Sequence, residues 1–239
     1  MNYIVTLNLN NYLCDNARQS MMDASLRWNC EFYEITKSIV GSPAPCFNKI
    51  CGIKELMEKK DVDVVFYVDA DILIRDDTPN PFELCTSDGV YVVKDMIDSF
   101  DGHEKLIWRS MVSDMWLREA HHILRFELDI DELIHTSPQW FFNAGMFLFN
   151  VKSNMDFIDL FIKKMPSNPV SDRIEQSMMN YMLKHWNKII HVDKTWNRID
   201  PSLSSGNMED YIYHFTGFGD VDQTYKTLLL TYNWKCHDK

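Results

Sequence analysis

At 239 residues, with 46% hydrophobic and 25% charged residues, the chain is long enough to bury one substantial core, and its composition is neither disordered nor fibrous. A formal net charge of -11 argues against broad electrostatic attachment to nucleic acid or anionic lipid, both of which want a basic face. An anionic ligand such as a diphosphate can still be bound where a divalent cation supplies positive charge locally.

The N-terminal MNYIVTLNLNNYL has no basic segment ahead of an apolar run of signal-peptide length, and no window reaches the roughly 20 apolar residues of a membrane span. A soluble, cytoplasmic protein of one α/β domain over residues 1–239 is therefore expected. Cys14, Cys30, Cys46, Cys51, Cys85 and Cys236 form no CxxC pair or regular framework, which points to reduced, mostly buried thiols.

Tyr3 to Leu7 is a short apolar run containing Ile and Val, stopped by Asn8, Asn10 and Asn11, as in a buried strand that ends in a loop. Asp15 can cap the helix that follows, in which Ala17, Met21, Ala24 and Trp28 share one face. Glu31 to Thr36 reads as a second strand. GSPAP then breaks the chain before a helix with Ile50, Ile53 and Met57 on one side, and the charged EKKDVD ends it. VVFYV, five consecutive apolar residues, is a central strand buried on both faces, and it delivers Asp69 to its carboxyl end.

This strand and helix alternation implies right-handed crossovers and a parallel sheet, whose ligands collect beyond the carboxyl ends of its strands. From about 95 to 138 the pattern is less regular and reads as a helical insertion with Trp108, Met111, Trp116, His121 and His122 among charges. FFNAGMFLFN, Phe141 to Asn150, is a further buried strand interrupted by a small Ala-Gly pair. A helix begins at Ser153 with Ile158, Phe161, Ile162 and Met165 on one face, and Ser171 can cap the next, through Trp186. Short strands are expected around Ile189 to Val192 and Tyr211 to Phe215.

The strongest chemical signal is VVFYVDADILI, an apolar strand running into two aspartates one residue apart. Carboxylates at i and i+2 of an extended chain point to the same side, so Asp69 and Asp71 can face one divalent cation while Ala70 faces away. A nucleoside diphosphate needs such a clasp.

FYVDADILI resembles the DxD segment of GT-A glycosyltransferases, especially the glycogenin-like and bacterial lipopolysaccharide galactosyltransferase family. WFFNAGMFLFN resembles that family's Phe-Asn-Ala-Gly strand, EQSMMN its Asp-Gln-Asp segment, IVTLNLNNYL its opening strand and loop, and YIYHFTG its late strand ending in a histidine ligand. The resemblance covers about residues 3–217. It implies a GT-A fold, with a mixed, mostly parallel sheet flanked by helices, and sugar transfer from a nucleotide-sugar, UDP first and GDP second, to a glycan or other hydroxyl acceptor.

Carried over residue by residue, the resemblance implies that Asp69, Asp71 and His214 bind the cation, a donor set suited to Mn²⁺ or Mg²⁺. Thr6, Leu7, Asn8, Asn10, Asn11 and Tyr12 would hold the nucleoside, and Lys49 would offset phosphate charge. Asn143 would meet a sugar or glycosidic oxygen where Ala144 and Gly145 leave room for the ring, and Gly217 would follow the histidine strand. Glu175 and Gln176 would face the donor sugar. Asp114, Asp95 and Glu175 are the candidate bases for an inverting reaction, whereas Gln176 or Glu175 would lie near the anomeric carbon in a retaining one.

One departure stands out. The family's diphosphate-binding lysine falls on Asp220 here, and Lys226 or Arg198 are candidate replacements, with Trp196 and Asn197 resembling a Trp-Asn pair near the family's site.

Three other readings compete. A haloacid-dehalogenase-like phosphatase also begins with an apolar strand and DxD, but places it near the N-terminus with Thr or Val where Leu73 stands. Sugar-nucleotide pyrophosphorylases open with a Gly-rich, Arg-containing loop that this N-terminus lacks. A non-catalytic sugar-nucleotide-binding protein would not require intact aspartates and histidine.

Overall fold

The protein is represented by a computed structural model that describes residues 1–9, 12–39, 45–95, 103–127, 129, 140–167, 174–199 and 210–215, with the backbone alone over 103–112 and at 199. Its strands are β1 (Asn2–Leu7), β2 (Glu31–Ile35), β3 (Val64–Val68), β4 (Ile72–Ile74), β5 (Val90–Lys94), β6 (Phe142–Asn150), β7 (Ile189–His191), β8 (Arg198–Ile199) and β9 (Ile212–His214). The α-helices are α1 (Asp15–Arg27), α2 (Asn48–Lys59), α3 (His103–Leu124), α4 (Met155–Lys164) and α5 (Ile174–His185).

Six strands form one sheet in the order β2-β1-β3-β6-β5-β7. β1 pairs in parallel with β2 and β3, β5 pairs in parallel with β7, and only β6 runs antiparallel to its neighbours β3 and β5. The sheet is thus mixed and mostly parallel. β4, β9 and β8 form a second, three-stranded sheet, in which β4 and β9 are antiparallel. β4 follows directly from the DxD turn, and β9 carries His214, so this small sheet brings the end of the described chain back to the aspartates.

Alternation along β3 explains why the strand is apolar throughout. Val65 and Tyr67 enter one core layer with α2, α4, α5 and the buried face of α3, whereas Phe66 and Val68 enter the other with α1 and the small sheet. β6 does the same with Phe147 and Phe149 on one side and Met146 and Leu148 on the other. The Tyr67 and Phe147 rings stack at 4.7 Å where the two strands pair.

Several local expectations are corrected. Cys14, not Asp15, is the N-cap of α1; Asp15 is the first residue inside, where its charge suits the helix dipole. A 3-10 turn over Lys152–Asn154 precedes α4, so the helix starts at Met155 rather than Ser153. On α2 the third core residue is Leu56, and Met57 is only half-buried. The region read as a helical insertion begins after an unexpected strand, β5, in which four apolar residues, VYVV, lie at the sheet's interior. Within it α3 supplies Trp116, Leu117, Ala120 and Leu124 to the core. The Ala-Gly pair does not interrupt β6, which runs unbroken through it. Ser171, Asp220 and Lys226 lie outside the described residues. No helix among the described residues is long and apolar enough to cross a membrane, and none of Cys14, Cys30, Cys46, Cys51 and Cys85 forms a disulfide.

Candidate active site

Asp69 leaves the carboxyl end of β3, and its backbone N–H donates to the Gly145 carbonyl at 2.7 Å, extending the β3–β6 ladder one residue past the strand. The turn then closes with Ile72 N–H donating to the Asp69 carbonyl at 3.2 Å, while Phe215 N–H donates to the Asp71 carbonyl at 2.9 Å. These bonds fix both aspartates between the two sheets. His214 is 2% exposed, and its Nε2 lies 3.2 Å from Asp71 Oδ1. One ligand atom each from Asp69, Asp71 and His214 falls within 4.8 Å of the others, a separation that a single cation with bonds of roughly 2.0–2.6 Å can bridge.

The charges are interdependent. Burial disfavours ionised Asp71, yet the charge and hydrogen bond of His214 override it and hold the carboxyl below its ordinary pKa. Burial likewise disfavours charged His214, and Asp71 first, then Asp69, raise it above the ordinary histidine value. On the other flank Lys49 Nζ lies 3.4 Å from Asp69 Oδ1 and 3.3 Å from Glu175 Oε1, and donates to the Ala144 carbonyl at 3.1 Å. Burial alone would drive this ammonium toward neutrality; the charges of Asp69 and Glu175 more than reverse that and raise its pKa. Tyr67 donates to Asp69 Oδ1 at 2.6 Å, with its phenol held protonated by burial and by the Asp69 charge.

A second group comes from β6 and α5. Gln176 Oε1 accepts from Ala144 N–H at 3.0 Å, and its Nε2 donates to Asp95 Oδ2 at 3.0 Å, so both halves of the amide are engaged. Four residues on, Asn180 accepts from Phe142 N–H at 2.8 Å and donates to the Phe142 carbonyl at 2.9 Å, which bolts α5 to the start of β6. Glu175 is buried, and its Oε2 has no hydrogen-bond partner. Gly145 leaves no room for a side chain: a Cβ there would collide with the His214 imidazole and fall 2.8 Å from Asn143 Oδ1 and 2.9 Å from Asp69 Oδ2.

The structure therefore brings Asp69, Ala70, Asp71, Lys49, Asn143, Ala144, Gly145, Glu175, Gln176 and His214 to one edge of the sheet. Asn10, Asn11 and Gly217 lie outside the described residues. Asn8 sits at the end of β1, but its amide is committed internally: Oδ1 accepts from Leu13 N–H at 2.9 Å and Nδ2 donates to Glu34 at 2.9 Å. It ties the loop to β2. Thr6 is fully buried, with Oγ1 lacking a partner, Leu7 is half-buried, and Tyr12 is 76% exposed, its ring open for stacking.

Lys49, which the resemblance sets against phosphate charge, is 3% exposed. Arg198 Nε lies 3.5 Å from Asp210 Oδ2, which supplies it with an internal anion in place of a diphosphate. Asp114 is on α3 with Arg118 Nε at 3.4 Å, and of the three candidate bases only Asp95 and Glu175 connect to the Gln176–Lys49 group. Tyr67, Asn180 and the role of Asn197 were not anticipated. Tyr67 was legible two residues before Asp69 on the same strand face, and Asn180 four residues after Gln176 on the same helical face; the Trp-Asn pair marked Asn197 as near the site, but not its link to His214.

No protein-family model matches the chain, and no curated protein sequence matches it. Solved structures do. A glycosyltransferase involved in the glycosylation of the major capsid of PBCV-1 superposes with a TM-score of 0.65 at 11% identity, covering 96% of this chain and 99% of that one. An active-site mutant of LgtC superposes with a TM-score of 0.53 at 14% identity, covering 96% and 95%. The galactosyltransferase LgtC with donor and acceptor sugar analogues gives 0.50 at 15%, covering 99% and 98%.

This chain therefore has the GT-A fold, as its sequence resemblance implies. At such identities the likeness is one of fold, and the chemistry has to be argued from the residues of the site.

Proposed function

We propose that this chain is a metal-dependent glycosyltransferase that moves a sugar from a nucleotide-sugar, a UDP-sugar first, to a hydroxyl of a glycan or other acceptor. The observation that carries the reading is the Asp69, Asp71 and His214 cluster at the carboxyl edge of a GT-A sheet. Two carboxylates and one imidazole fit Mn²⁺ or Mg²⁺, and a cation held there supplies counter-charge to a leaving diphosphate.

The chain's own residues do the rest. Tyr67 and Lys49 both hold Asp69 through Oδ1, which orients Oδ2 toward Gly145 and the cation position. Lys49 fixes Glu175 through Oε1, leaving the buried Oε2 to accept from a hydroxyl of the donor sugar. Asn143 uses its Oδ1 inside the protein, so its Nδ2 is the end that can donate to a sugar oxygen. Gln176 is held rigidly between Ala144 and Asp95 beside the same space. The exposed Tyr12 ring is suited to stack on a base.

The phosphatase alternative needs the first aspartate as a nucleophile. Asp69 Oδ1 instead accepts from Tyr67 and Lys49, which suits an anion held in place.

The test is UDP release from a panel of UDP-sugars with Mn²⁺, with and without chelator, followed by assignment of the product anomer by NMR. Turnover of one donor that stops with chelator and in Asp71→Ala supports the reading. Phosphate release from a phosphomonoester with no sugar nucleotide present would return the phosphatase, and nucleotide binding without turnover across many acceptors would favour a non-catalytic binding protein.

A further inference from the structure

The geometry points to Asn197 as the positioning residue that sets the ring orientation and tautomer of His214, an inference that rests on the metal site proposed above. The argument starts from a donor of fixed polarity. The backbone N–H of Gly145 can only donate, and it lies 2.9 Å from the side-chain oxygen of Asn143, so that atom is an acceptor. The Asn197 atom 3.3 Å from the same oxygen must then be its amide nitrogen, which makes the other end of Asn197 a carbonyl. That carbonyl oxygen lies 3.2 Å from His214 Nδ1, so Nδ1 carries the proton and Nε2 faces Asp71 and Asp69 as the ligand atom.

One main-chain amide of β6 thus dictates, through two asparagines, which nitrogen of His214 is available to a cation. Every member is buried: Asn143 is 7% exposed, and Asn197 and His214 are each 2% exposed. Water therefore has no ready access to substitute for the amide.

The chain around Asn197 is built to hold it still. It follows a 3-10 turn over Lys194–Trp196 that is capped by Asp193, and its backbone N–H donates to the Lys194 carbonyl at 3.1 Å. Trp196 is buried edge-on against Tyr211 at 5.2 Å, and Tyr211 N–H donates to the Thr195 carbonyl at 2.8 Å, tying the turn to the strand that carries His214. Gly145 on β6 and Asn197, in the bend just before β8, therefore approach the imidazole from separate parts of the fold.

Asn197→Leu keeps the volume and removes the acceptor; Asn197→Asp keeps an acceptor for Nδ1–H but sets its second oxygen against the Asn143 carbonyl, so it restores only part of the arrangement. Mn²⁺ affinity, read by calorimetry and by electron paramagnetic resonance, is expected to fall roughly 10- to 100-fold in Asn197→Leu and clearly less in Asn197→Asp, which keeps the acceptor for Nδ1–H. Circular dichroism checks that both variants fold. Proton-nitrogen correlation spectra of the Mg²⁺-loaded wild type should show the His214 proton on Nδ1, a reading that stands even if the leucine variant fails to fold.

Wild-type affinity in a folded Asn197→Leu, equal losses in both variants, or a ring proton on Nε2 in the wild type would each overturn the inference while leaving the metal site standing. A wild type that binds no Mn²⁺ would overturn the metal site and this inference together.

Discussion

The two edges of the central sheet use the same kinds of charged group in opposite ways. At the amino edge the N-terminal ammonium of Met1, Asp63, Asp61 and Lys152 form ion pairs with side chains half or more exposed. At the carboxyl edge Lys49, Glu175 and His214 are almost wholly buried, with two aspartates about 30% exposed beside them. Exposed pairs exchange water for partners at little net gain, whereas buried ones carry a desolvation penalty that is tolerable only if each charge is compensated. A fold that concentrates such charges at one edge, and closes a glycine and two asparagines around them, has built that edge for something other than stability.

The sharpest break in this contrast should come from the ligand set itself. Asp71→Ala and His214→Ala are each expected to weaken Mn²⁺-dependent donor binding by roughly 100-fold or more while the protein stays folded, as read by calorimetry beside circular dichroism. Next comes the buried cation. Lys49→Met leaves Asp69 and Glu175 with no compensating charge, and a loss of about 3–5 kcal/mol in chemical denaturation is expected. Gly145→Ala should follow, at about 1–3 kcal/mol with a weakened cation site, because its Cβ overlaps the imidazole.

At the amino edge, Lys152→Ala should leave the thermal midpoint unchanged, since its partners are exposed. A large effect there would erase the distinction between the two edges.

A subtler probe lies beside the first loop. Arg18 donates to Glu34 at 2.8 Å, and Glu34 also accepts from Asn8. The hydrogen bond from Arg18 is the main reason that the Glu34 carboxyl lies below its ordinary pKa. A carboxyl depressed by folding stabilises the protein above its unfolded pKa, and that contribution is lost as pH falls through the folded value. Arg18→Gln should therefore lower the thermal midpoint by about 2 °C at pH 7, and the gap should close below about pH 4.

How much of this was legible in the sequence depends on the range of the interaction. The DxD strand, the Asn-Ala-Gly strand and the His214 strand each declare themselves within ten residues, through apolar runs that end in polar atoms at a sheet edge. The antiparallel pairing of the first two, with Val68 beside Met146, is invisible locally. β5 was missed because only four apolar residues, lying among loops, carry its signal.

The connections that make the site work were harder to see, since they join residues far apart in sequence. Lys49 reaches Ala144, Gln176 reaches Asp95, and Asn197 links His214 to Asn143. An asparagine or lysine in a loop looks the same whether solvated or locked in place, as Asn8 shows, its amide bonded to Leu13 N–H in its own loop and to Glu34 on β2.

The most direct test of the central claim is calorimetric titration of the protein with UDP- and GDP-sugars, in Mn²⁺ and in chelator, with Asp71→Ala as control. The account predicts that one donor binds in Mn²⁺, and that binding disappears with chelator and in the variant. Absence of nucleotide-sugar binding under every condition, or binding indifferent to both the metal and Asp71, would contradict it.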